Sequence, residues 1–99
     1  MTKIQEIAEH YGREKQLHQT MEECAELSVE CSHTLRGRGN RNNLAGEIAD
    51  VIIMLRQILY LEDIPEEDVE TIIEFKLDRQ MSRIRDEELI RRVRNASDK

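Results

Sequence analysis

At 99 residues the chain is long enough for one domain with a small core. Charged residues make up 36% and the formal net charge is −6, which argues against a general nucleic-acid binder, since such proteins present a net basic face. One proline and four glycines leave little punctuation, so long helices are expected.

In chain order, Thr2 followed by Gln5 has the pattern of a capping box. Ile4, Ile7, Ala8 and Tyr11 then form a short apolar stripe that stops at Gly12, so a first helix is predicted over about 3–11. A second is predicted over about 14–36, with Leu17, Met21, Cys24, Ser28, Cys31 and Leu35 down one face, expected to meet the core. Cys24 and Cys31 lie on that face, about 10 Å apart at the helical rise, too far for a disulfide. They read as small core hydrophobes in a reducing, cytoplasmic setting, and no signal-peptide pattern opens the sequence. Gly37 to Asn42 is a loop in which Asn42 or Asn43 is expected to cap the next helix. That third helix is predicted over about 43–62. Pro65 at a first helical position starts a fourth over about 65–93, expected to bury Val69, Ile72, Ile73 and Phe75 in its first half. The class is all-α, one domain spanning 1–99.

The stretch Leu44–Leu61 is apolar all round, the mark of a buried helix. Glu47, Asp50, Arg56 and Gln57 make it a poor membrane span, and no membrane role is expected. Glu47 and Asp50 are three apart and share a face. Both are expected among apolar neighbours, where a carboxylate must be paired, neutralised or bound to a metal. The second helix carries Glu22, Glu23, Glu26 and Glu30, with Glu23 and Glu26 on a face opposite the apolar stripe. Taken alone that face reads as solvated. A short loop, however, makes the second and third helices antiparallel neighbours, so the two acidic pairs can converge. Four carboxylates make an all-oxygen site suited to Mg²⁺, with Mn²⁺ as the alternative. A cation held there would offset nearby negative charge and lower the pKa of a bound water. Glu22 and Glu26 are the candidates to take that water's proton. Lys76, Arg79 and Arg83 share one face of the fourth helix and are candidates to hold phosphate oxygens, or else partners in salt bridges. His10, His18 and His33 show no ligand spacing.

The two motifs, E-x-x-E at Glu23–Glu26 and E-x-x-D at Glu47–Asp50, resemble the signature of the MazG-like all-α nucleotide pyrophosphohydrolases. The surrounding QLHQTMEECAEL and LAGEIADVIIML, and Lys76–Arg79, are similar to that family as well, and the likeness covers about residues 14 to 83. It implies a four-helix MazG-like bundle completed by homo-oligomerisation, as a homodimer or a dimer of dimers. It implies Mg²⁺-dependent cleavage of a nucleoside triphosphate between the α- and β-phosphates. It matches Glu23, Glu26, Glu47 and Asp50 to the metal ligands, leaves Glu22 as an outer acid or a base, and adds Gln16 to the substrate-binding candidates. Narrower relatives acting on dUTP, dCTP or phosphoribosyl-ATP are the enzymatic alternatives, and a non-catalytic interaction module is the alternative of another class.

Overall fold

The computed structural model describes residues 1–98. It is all-helical, with four helices: α1 (Lys3–Tyr11), α2 (Arg13–Leu35), α3 (Arg41–Leu61) and α4 (Glu66–Ser97). The chain divides into two compact units, one of Met1–Pro65 and one beginning at Glu66. No helix among the described residues is long and apolar enough to cross a membrane.

The first unit is built from local signals that the sequence displays openly. The Thr2 hydroxyl accepts from the Gln5 amide at 3.2 Å while the Gln5 side chain accepts from the Thr2 amide at 3.1 Å, a complete capping box. Gly12 ends α1 and starts α2, because its φ of +85° is open to glycine and strained for other residues. Its N–H reaches the Ala8 carbonyl and its own carbonyl accepts from the Gln16 amide.

The α2–α3 turn closes mainly on one acceptor, with the Ser32 and Thr34 carbonyls taking the Arg36 and Gly37 N–H groups. The His33 carbonyl takes the N–H groups of Arg36, Arg38 and Gly39. Asn40, rather than the expected Asn42 or Asn43, caps α3: its side-chain oxygen accepts from the Asn43 amide at 2.8 Å. Extended backbone at Asn40 (φ −129°, ψ 157°) is the geometry a capping residue needs, and residues 41–43 are already helical. Asn40→Ala should therefore cost about 1 kcal/mol in urea denaturation, with Asn42→Ala and Asn43→Ala each within about 0.5 kcal/mol. Equal effects at all three positions would remove Asn40 from the cap.

α2 and α3 run antiparallel, and α1 lies mainly on α3. Arg13 pairs with Glu62, Gln16 meets Gln57, and Glu23 and Glu26 approach Glu47; as one number climbs the other falls. The contact row of α2 is Gln16, Thr20, Glu23, Leu27 and Glu30, all buried or half-buried. That of α3 is Leu44, Glu47, Val51, Met54, Ile58 and Leu61. Both follow the four-three spacing of a helix-pair seam. Burying a side chain such as Met54 contributes roughly 1.5–3 kcal/mol. The Tyr60 hydroxyl donates to Glu9 at 2.7 Å and ties α1 to α3.

The expected core face of α2 is therefore not the one that packs on α3. Met21 is 69% and Leu35 89% exposed, and Cys24, Ser28 and Cys31 are exposed as well. The face that reads as solvated is the one against α3. The two rows are one residue apart, about 100° round the helix, and the intramolecular neighbour takes the more polar of them.

The second unit is α4 alone, with Glu66, Glu67 and Asp68 in its first turn, where acids suit the positive end of the helix dipole. The expected burial of Ile72, Ile73 and Phe75 is not found: they are 52%, 47% and 66% exposed, and Val69 is half-buried.

Candidate metal centre

The acidic residues of the contact rows meet between α2 and α3. Glu23, Glu26 and Glu47 each place one carboxylate oxygen so that all three lie within 4.8 Å of one another. Glu23 and Glu47 belong to the seam itself and are half-buried, and Glu26 is exposed at its edge. Helical spacing explains this: Glu26 stands three residues beyond Glu23, about 60° back from the seam.

Two of the carboxylates are poorly satisfied. Glu23 Oε1 accepts from the Gln19 side-chain amide at 2.9 Å, but Glu23 Oε2 is buried without a partner, and so is Glu47 Oε2. Glu30, one turn further along the α2 seam, also has a buried, unpartnered oxygen. The α2–α3 turn lies over it, so that a side chain at Gly39 would begin 3.2 Å from Glu30 Oε1 and 3.0 Å from Thr34 Oγ1. The other Glu30 oxygen stands 3.5 Å from the His33 ring.

Desolvation holds the Glu47 carboxyl above the usual carboxylate range, and the charges of Glu26, Asp50, Glu23 and Glu30 push it further in the same direction. A divalent cation offers what this arrangement lacks. Bound there, it would supply positive charge to a group of like charges and ligand bonds to oxygens that have no donor. The donors are all carboxylate oxygens, which suits the hard cations Mg²⁺ and Mn²⁺.

The structure brings together only part of the predicted set. Asp50 is exposed, not set among apolar side chains as expected, because it sits about 60° off the α3 seam. It bears on Glu47 through its charge and stands outside the group of three. Glu22 is exposed on α2. Gln16 is buried, 4% exposed, and its amide donates to Gln57 Oε1 at 2.7 Å. Lys76, Arg79 and Arg83 belong to the second unit and are exposed, with the Arg79 guanidinium 5.8 Å from the Phe75 ring centre.

Two contributors were not assigned to the metal site from the sequence. Gln19 orients Glu23, and its i, i+4 spacing to an acid was the available signal. Glu30 completes the acidic seam, and its place seven residues after Glu23 marked it. No family model matches the chain, nor does any curated protein or solved structure.

Proposed function

We propose that the chain is a Mg²⁺-dependent hydrolase that cleaves nucleoside triphosphates to the monophosphate and pyrophosphate. The observation that carries the reading is the set of three carboxylate oxygens within 4.8 Å, two of whose side chains have a buried oxygen without a donor. The choice of substrate and bond rests on the likeness of Glu23–Glu26 and Glu47–Asp50 to the pyrophosphohydrolase motifs. Glu23, Glu26 and Glu47 would hold the cation, which when bound supplies charge neutralisation for the triphosphate and a water of lowered pKa. Gln19 fixes the rotamer of Glu23 through its 2.9 Å hydrogen bond. Glu26 and Glu22, both exposed, have access to solvent and are the groups to accept the water's proton.

The test is incubation of the full chain with a panel of ribo- and deoxyribonucleoside triphosphates in Mg²⁺, reading monophosphate and pyrophosphate. Release of orthophosphate would move the cleaved bond. Absence of turnover on every triphosphate, together with a melting temperature that Mg²⁺ does not raise, would favour an interaction module, because a cation site stabilises the fold by mass action.

A further inference from the structure

The first unit has a cavity at the corner between α1 and α2. It measures about 550 Å³ and is lined by Tyr11, Gly12, Arg13, Glu14, Lys15 and His18. That volume falls within the range of small-molecule sites. Its largest flat surface is the ring of Tyr11, a residue left 47% exposed. The Lys15 ammonium stands 4.7 Å from the ring centre, and the His10 ring meets it nearly at right angles with the centres 4.7 Å apart. Tyr60, the other tyrosine, has its hydroxyl bonded to Glu9 and serves the α1–α3 contact.

This cavity and the carboxylates lie on one side of α2. Lys15, Gln19, Glu22 and Glu26 keep the four-three-four spacing of a single helix face. The row stands one residue before the contact row, about 100° round the helix. Lys15 lines the cavity, Glu26 belongs to the carboxylate group, and Gln19, between them, orients Glu23. The helices are antiparallel, so the row one residue before the contact row of α3, with Gly46 and Asp50, reaches the same side of the pair. A side chain at Gly46 would meet nothing within 4 Å, which leaves that side open at the height of the carboxylates. His18 and Glu23 are five residues apart, about 7.5 Å along the axis. A pentose with its 5′ oxygen bridges such a span between a base and the first phosphate.

We infer that the cavity at the α1–α2 corner is the nucleoside pocket of the carboxylate site. The base stacks on the Tyr11 ring, as bases do on exposed aromatic side chains whatever their identity. The Lys15 ammonium, a donor only, meets the keto oxygens or ring nitrogens that every base carries. The phosphates run from there along α2 toward Glu23 and Glu26, so the substrate lies lengthwise, with its base at α1 and its last phosphate toward the α2–α3 turn. The inference rests on the hydrolase reading for the place of the phosphates, and the experiment separates the two.

The test is calorimetric titration of the full chain in Mg²⁺ with two kinds of probe. One is a panel of α,β-methylene nucleoside triphosphates, which bind without being cleaved, and the other is inorganic triphosphate, which has no nucleoside. Tyr11→Ala should weaken the tightest nucleotide analogue by about 10-fold, the usual loss for one stacked base. Its affinity for inorganic triphosphate should stay at the wild-type value, which also shows that the site is still folded. Tyr11→Phe should keep the wild-type affinity for both. Equal losses on both probes, or no loss on either, overturn the inference. So does wild-type protein that binds inorganic triphosphate as tightly as every nucleotide analogue, an outcome that leaves the cation site standing. Nucleotide binding that depends on Tyr11 without cleavage of any natural triphosphate would instead uphold the pocket and remove the hydrolase reading.

Discussion

Glu47→Gln is expected to lower Mg²⁺-dependent triphosphate hydrolysis by at least about 100-fold, since even partners of metal ligands cost 10–100-fold when lost. It should leave the metal-free protein at least as stable at neutral pH. Glu47 sits at the centre of the like charges, and burial and its neighbours both raise its pKa. The native state therefore holds the Glu47 proton more tightly than the unfolded chain does. The group favours folding most below the unfolded carboxylate value, and that advantage is lost as pH rises through the raised native value. Gln keeps the shape and never takes the charge, so this slope in stability against pH should vanish in the variant. In saturating Mg²⁺ the wild-type slope should reverse, because the cation binds the ionised form. Chemical denaturation of both proteins between pH 4 and 8, in chelator and in Mg²⁺, reads all of this. A variant clearly less stable in chelator at pH 7, or one that keeps the full gain from Mg²⁺, removes Glu47 from a metal site.

The largest effect on stability is expected at Gln57. It is 1% exposed, its carbonyl oxygen accepts from Gln16 at 2.7 Å, and its nitrogen has only the Met54 sulfur at 3.8 Å. Gln57→Leu keeps most of the volume and strands the Gln16 amide in the interior. The loss should be about 2 kcal/mol, within the range for a buried donor without an acceptor. Adding Gln16→Leu should recover most of it, because replacing both partners with apolar groups is close to neutral. The double-mutant cycle should show a coupling of about 1–3 kcal/mol, measured by urea denaturation at fixed protein concentration. Additive losses would mean the pair is incidental. A Gln16→Leu variant of wild-type stability and raised KM would instead return Gln16 to substrate binding, the role its motif implies.

The four helices, the capping box at Thr2 and the stop at Gly12 were legible in the sequence because they depend on neighbours a few residues away. So was the meeting of Glu23 and Glu26 with Glu47, which needs only a short loop and antiparallel helices. Which row of α2 meets α3 was not legible. Periodicity ranks rows by hydrophobicity, and the row with Gln16, Thr20, Glu23 and Glu30 ranks below the one with Leu17, Met21 and Cys31. Side chains that are polar at the tip and satisfied only by a partner far along the chain, as Gln16 is by Gln57, look like surface residues until that partner is known. Asp50 was misplaced for a related reason. A helix apolar on every side gives no indication of which of its acids points inward.

The one-residue offset of the α2 rows bears on how the protein folds. Turning α2 by about 100° about its axis would bury Leu17, Met21, Cys24 and Cys31 against α3 and release Glu23 to water. Judged by apolar burial alone, that competing hairpin is the better one. It lacks the Gln16–Gln57 hydrogen bond and would strand the Gln57 amide. The polar pair thus favours the observed hairpin over the turned one, and the competition between the two rows is a local source of frustration. Refolding should therefore dwell longer in the turned hairpin for Gln57→Leu than for the wild type, read by stopped-flow circular dichroism.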